Sequence, residues 1–394
     1  MRAVSPTGSR LPTSPIYLDY HATTPVDRRV FAAMAPYFTT HFGNPHSRHA
    51  FGWQAEAAVA HARGHVAKLI GARPEEIVFT SGATESNNLA IKGLARSRSA
   101  RGAHVVTVAT EHHAVLDPCR ALEREGFRVT YLPVDGEGRL NLDRVAQALT
   151  SDTLLISVMA ANNEIGVLQD MPALGRLARE HGVPLHTDAA QAVGKIPVDV
   201  RAWQVDLLSI SGHKMYGPKG IGALYVRREG PTDLAPQMEG GGQERGLRSG
   251  TLNVPGIVGL GEAAMLAGQE LAGEAQRLAQ LRDRLRSRLV EALPGVRING
   301  SWQHRLPHNL NVSFEAVDGD ALMMGLQDLA VSSSSACRSG DAGPSYVLQA
   351  LGVPAELAQS TLRFGLGRFT SAEEIDRAAE QVIQVVSALR EVAI

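Results

Sequence analysis

Cysteine is almost missing: Cys119 and Cys337 are the two in 394 residues. So few exclude a disulfide framework for a chain of this size and point to a reducing compartment, which we expect to be the cytoplasm. An excess of either charge is missing too. Lys and Arg number 39 against 40 Asp and Glu, a formal net charge of −1. Composition therefore gives no reason to expect direct nucleic-acid binding. No apolar run approaches the length of a bilayer span, so no membrane association is expected. The opening MRAVSPTGSRLPTSP carries two arginines and no acid, but no apolar signal core. It reads as a lead-in rather than a targeting peptide. What is present is ordinary for a soluble globular protein, 44% hydrophobic and 20% charged, and long enough for about two domains.

The middle of the chain alternates short β-branched runs with helical stretches, the pattern of a mostly parallel sheet covered by helices. Strands are predicted over 77–80, 104–107, 128–132, 153–159, 184–188, 207–211 and 222–226, with helices over 85–95, 114–125, 142–148 and 171–180. From residue 270 leucines recur at helical spacing among arginines, predicting a long surface helix over 270–293. Strand-like 308–314 and 360–366 follow, and Thr370 with Glu373 predicts a capping box for a last helix. The expected fold class is α/β: a large domain at 24–268, plus a smaller α+β domain from 1–23 and 269–394. The smaller domain would carry a mobile cysteine loop at about 331–344.

The stretch DLLSISGHKMYGPKGIGALYV (206–226) ends an apolar strand on Lys214. Burying an ammonium there costs several kcal/mol unless the charge is paired, neutralised or consumed in a covalent bond. Upstream, EEIVFTSGATESNNLAIKG (75–93) places Ala83 and Thr84 in a small-residue turn between strand and helix. That turn is either a phosphate cup or an ordinary turn with Thr84 as N-cap. VPLHTDAAQAVGK (183–195) ends a strand on Asp188, with Gln191 three residues on. Asp188 stands where parallel sheets bind ligands, or caps a helix. Together the three features suit pyridoxal 5'-phosphate. That cofactor needs a lysine for an imine, an acid to keep its ring nitrogen protonated and a cup for its phosphate, against which Ser211 and His213 would lie.

These motifs, with YLDYHATTP (17–25), EHHAVLD, NNEIG, GGGQERGLRSGTL and LRFGLGRFT (362–370), resemble the cysteine desulfurases. Those enzymes belong to the class V aminotransferase group of fold-type I pyridoxal-phosphate proteins. The resemblance implies that Lys214 holds the cofactor and Asp188 pairs with its pyridinium. Thr84, Ser211 and His213 would bind the phosphate, beside Ala83. His112 would stack on the ring and shuttle protons, while Gln191 and Asn163 approach the phenolic oxygen. Arg363 would grip the substrate carboxylate, with Asn163 nearby; a guanidinium fork suits that group. Thr251 would reach the phosphate of a partner subunit, implying a homodimer. His46 and His113 are expected to be structural and Cys119 to be packing.

Cys337 lies in VSSSSACRSGDAGPSYVLQALG (331–352), too polar for core. It reads as an exposed loop whose neighbouring cation favours the thiolate, the alternative being an incidental surface cysteine. The stretch resembles the long loop of group I desulfurases, departing from it at Ser334 and at Ala342-Gly343, positions that bear on loop movement and acceptor choice. The implied activity converts L-cysteine to L-alanine, leaving a persulfide on Cys337 for acceptor proteins such as an iron–sulfur scaffold. A selenocysteine lyase or a class V aminotransferase of the same fold is the alternative. No metal site is expected.

Overall fold

Strands without polar alternation must be covered on both faces, and here they are. The computed structural model describes residues 15–99, 102–230, 232–333 and 343–392, so Cys337, Ser334 and Ala342 lie outside the described residues. Seven strands form the main sheet, in the order Ile77–Thr80, Gly222–Val226, Leu207–Ser211, Leu185–Asp188, Thr153–Ser157, His104–Val108 and Arg128–Leu132. All but the last are buried along their whole length. Phe79, Ile156, Leu208 and Ile210 pack on one face; Val78, Leu155, Leu207 and Leu224 pack on the other.

Gly222–Val226 runs antiparallel to both its neighbours, and the other pairings are parallel. The connection 212–221 is too short for the dozen or so residues a parallel crossover takes, so the chain turns straight back. Reversing one strand leaves Thr80, Asp188 and Ser211 at the same edge of the sheet.

The long helix is longer than the sequence predicts, Val254–Ala292 rather than 270–293, roughly 60 Å at 1.5 Å per residue. Glycines hide its first half, since each costs helix propensity. Their reason is packing. A Cβ on Gly261 would lie 2.5 Å from Ala62 Cα, and one on Gly259 2.5 Å from Met34 Sδ. The helix therefore closes against Ala50–Leu69, another element unforeseen in the sequence. Ile257, Leu260 and Ala264 join the main core, whereas Leu278, Leu281, Leu285 and Leu289 join a second one.

That second core underlies a four-stranded antiparallel sheet, ordered Ser332–Ser333, Thr361–Gly365, Asn309–Phe314 and Val296–Ile298. The final helix, Ala372–Val392, covers it with Ile375, Ala379, Val382 and Val386. Its capping box falls one residue later than predicted: Ser371 Oγ accepts from the Glu374 amide and Glu374 Oε2 from the Ser371 amide. Thr370 Oγ1 instead accepts from the Gly367 amide, closing the turn before it.

Truncating Leu285, fully buried where the long helix meets the second core, leaves a cavity worth about 2–5 kcal/mol. Urea denaturation of Leu285→Ala should show a loss in that range.

Candidate active site

The edge shared by Thr80, Asp188 and Ser211 carries three turns. After Thr80 the chain bends at Gly82, whose φ of 154° and ψ of 178° belong to a region open in practice only to glycine. Its demand is conformational, because a Cβ there would meet nothing within 4 Å. The helix then starts at Ala83, two residues earlier than predicted, with Gly82 rather than Thr84 as N-cap. Ala83 and Thr84 thus belong to the first turn, whose N–H groups have no partner within the helix. Glu85 Oε2 accepts from the Ser81 amide at 2.7 Å, and Arg248 Nε holds Oε1 at 2.9 Å, bracing the turn.

Asp188 caps no helix. Its Oδ1 accepts from the Ala190 amide at 2.9 Å in a local turn, and Oδ2 accepts from Asn87 Nδ2 at 2.7 Å. The carboxylate is buried and oriented. Lys214 closes the short 3₁₀ turn Gly212–Lys214. Its Nζ donates to the carbonyl oxygens of His21 and of Ala22, the latter at 2.7 Å. Thr24 Oγ1 donates to the His213 carbonyl, and the His213 ring meets Thr23 Oγ1 at 3.1 Å. Residues 21–24 therefore clasp the lysine turn.

His112 caps the helix His113–Arg124, its Nδ1 accepting from the Ala114 amide at 3.0 Å. A neutral ring used this way carries its proton on Nε2. Burial pushes its pKa down, Asp188 opposes, and Lys214 adds to the lowering. The neighbouring Glu111 is fully buried, and burial holds its carboxyl well above the usual range, with Asp188 adding to the rise. Cys119, in the same helix, is buried packing as expected, its thiol pushed up to about 12 by burial. The His113 ring lies 5.1 Å from that of Tyr346.

From the smaller sheet comes Arg363, buried in strand Thr361–Gly365. Nη1 donates to the Asn163 carbonyl at 2.9 Å, and Nη2 to Asp19 Oδ1 at 2.9 Å and Ser332 Oγ at 2.8 Å. Arg363 Nε and Asn163 Oδ1 are buried with no hydrogen-bond partner among the described residues.

All the expected site residues except two line one cavity of about 650 Å³: Lys214, Asp188, Gln191, Ser211, His213, Ala83, Thr84, His112, Asn163 and Arg363. Thr251 is exposed and does not line it, and Cys337 lies outside the described residues. The sequence reading missed His21, Asp19, Asn87, Glu111, Lys219 and Ser332. Asp19 and His21 sat in the quoted YLDYHATTP, but nothing local signals that their partners are Arg363 and Gln191, far along the chain.

The sequence profile of the class-V aminotransferases matches residues 16–378. The chain belongs to that family. Within this aminotransferase family it is 59% identical over 380 residues to cysteine desulfurase IscS of Anaeromyxobacter dehalogenans, covering 96% of this chain and 94% of the relative. A solved NifS-like protein superposes with a TM-score of 0.89 at 38% identity, covering 95% of this chain and 100% of that one. SspA, solved in complex with cysteine, superposes with a TM-score of 0.81 at 40% identity, covering 90% and 99%.

His213 has its pKa lowered to about 4 by burial, helped by Lys214 and Lys219. The unfolded chain, at about 6.5, binds this proton first, so the neutral ring favours folding above 6.5 and the contribution fades as pH falls toward 4. Urea midpoints measured from pH 7 to pH 4 should fall more steeply for the parent than for His213→Gln.

Proposed function

We propose that the cavity holds pyridoxal 5'-phosphate on Lys214 and that the protein is a cysteine desulfurase, taking sulfur from L-cysteine and releasing L-alanine. The observation that carries this reading is the convergence of Lys214, Asp188 and the first turn at Ala83–Thr84 on one cavity that also receives Arg363. The comparisons favour the same activity, with the desulfurase relative and the cysteine-bound neighbour both covering nearly the whole chain.

The residues fit the cofactor. Space lies open beside Gly82 at the head of a helix, where first-turn N–H groups favour an anion. Ser211, His213 and Thr84 add side-chain donors to that phosphate cup. Asp188 would keep the ring nitrogen protonated, and Gln191 and Asn163 would approach the phenolic oxygen. When bound, the cofactor supplies an electron sink for the substrate carbons.

The chain's own groups do the rest. Lys214 carries the covalent link at rest and moves the substrate Cα proton during turnover. His112, with its proton on Nε2, stacks on the ring and relays protons. Arg363 takes the substrate carboxylate through Nε, which has no hydrogen-bond partner among the described residues, while Asp19 and Ser332 fix the orientation of the guanidinium. The Cys337 thiolate attacks the substrate sulfur: an S–S bond forms and the C–S bond breaks. The electron pair of that broken bond stays with the carbon skeleton, which takes a proton and leaves as alanine. Sulfur then passes from the Cys337 persulfide to acceptor proteins such as an iron–sulfur scaffold.

We further propose a homodimer in which Thr251 reaches the partner's phosphate, and a cytoplasmic location. Among the described residues no helix is long and apolar enough to cross a membrane. The division into 24–268 and its flanks is also a proposal, supported by the long helix changing cores between Ala267 and Leu278.

Purified protein should show a visible band that borohydride erases, with the label on Lys214; Lys214→Ala should lack it. Cys337→Ala should lose nearly all alanine production from cysteine while keeping the band. A parental rate with reductant present would instead favour the lyase or aminotransferase alternative. Arg363→Lys should raise the KM for cysteine by about 10- to 100-fold, the worth of a charge-assisted hydrogen bond.

A further inference from the structure

Gln191 has an amide with an accepting oxygen at one end and a donating NH2 at the other, and which end meets the ring decides whether it can donate to an oxygen anion. The residue that settles its direction is His21. This histidine is fully buried and stacked on His308, with ring centroids 4.4 Å apart. Its Nδ1 lies 3.0 Å from Gln191 Oε1 and its Nε2 3.1 Å from Asn309 Nδ2.

The proton positions follow from the far end of this chain of contacts. Arg305 is buried, and its Nη1 donates to Asn309 Oδ1 at 3.1 Å. A guanidinium can only donate, so Asn309 must turn its oxygen to Arg305. Asn309 Nδ2 then faces His21 Nε2 and also donates to the Glu164 carbonyl at 3.1 Å. Nε2 of His21 is thereby an acceptor, and its proton sits on Nδ1, donated to Gln191 Oε1. An independent contact agrees: Gln191 Nε2 donates to the His21 carbonyl at 3.1 Å, which an oxygen in that place could not do. Burial pushes the His21 pKa well down, and the Arg363, Lys214 and Lys195 cations add to that against the bond to Gln191, so the ring stays neutral.

We propose that His21 is a positioning residue: with Arg305 and Asn309 it forms a one-way hydrogen-bond relay that fixes the Gln191 amide with its remaining Nε2 hydrogen toward the cleft, as a donor to the phenolic oxygen of the bound cofactor. The inference rests on the reading of Gln191 given above. The relay runs from Arg305 and Asn309, which lead into and open strand Asn309–Phe314 of the smaller sheet, to the end of strand Leu185–Asp188 in the larger one. Sheet packing thus sets the polarity of a group at the ring.

Two measurements on the holoenzyme test it. Nitrogen-15 NMR of histidine-labelled, unmutated protein should show His21 protonated at Nδ1 alone. A proton on Nε2, or on both nitrogens at neutral pH, overturns the relay, and this result does not depend on any variant folding. The second is the pH midpoint of the visible band of the lysine-bound cofactor. Losing a donor to the phenolic oxygen lets that oxygen hold the imine proton more tightly, so the midpoint in Gln191→Ala should rise by about one unit. His21→Ala should rise in the same direction, and His21→Asn, which can keep an N–H at the Nδ1 place, should stay near the parent. A raised midpoint in Gln191→Ala with none in His21→Ala overturns the relay while leaving the role of Gln191 standing. An unmoved midpoint in Gln191→Ala overturns that role, and this inference with it.

Discussion

A lysine ammonium at the end of a buried strand is the constraint around which this protein is arranged. The strand Leu207–Ser211 is buried along its length, and Lys214 follows it after one turn. Desolvating that charge without partners would cost several kcal/mol. The carbonyl oxygens of His21 and Ala22 take it up, and residues 23 and 24 tie the same turn through their hydroxyls. An N-terminal segment whose Asp19 bridges Gly365 of the smaller sheet thereby becomes part of the wall around Lys214. The smaller core must be in place for the larger one to present its site.

The cavity accordingly has two kinds of wall. One is the edge of the main sheet, where turns after three strands offer amide hydrogens, a carboxylate and the lysine. The other is the face of the smaller sheet, which contributes Arg363 and, through Asn309 and Asn311, grips the Glu164 carbonyl from the NNEIG turn. The long helix holds the two at fixed separation, because its glycines admit Ala50–Leu69 at backbone contact while its leucines enter the second core. Asp19 and Ser332 complete the picture by fixing the orientation of the Arg363 guanidinium between the two walls.

Much of this was legible in the sequence, for physical reasons. Runs without large polar residues such as 207–211 and 222–226 have one good solution, a strand covered on both faces, and their bounds agree with the structure. Lys214 was legible because an ammonium at the end of an apolar strand needs a use. Asp188 and the turn at 81–84, each with an ordinary structural reading alone, gained meaning only in combination with it. What failed was whatever depends on contacts distant in sequence. The first half of the long helix looked unhelical since its glycines serve packing against Ala62 and Met34 rather than propensity. The reversal of Gly222–Val226 and the start of the helix at Ala83 were not foreseen. Nor were the partners of His21 and Asp19, which no local pattern marks.

That reversed strand has a consequence for how the chain is born. Ile77–Thr80 lies at the border of the main sheet, and Gly222–Val226 is its sole neighbour there among the described residues. The ribosome makes the first about 145 residues before the second, an interval of roughly 7–30 s at ordinary elongation rates. For that time the nascent segment Ile77–Thr80 waits without its mate, and the turn at 81–84 that follows it has nothing to lean on. The cleft is therefore a late event in biogenesis, assembled when the hairpin at 212–221 slides home between strands already synthesised.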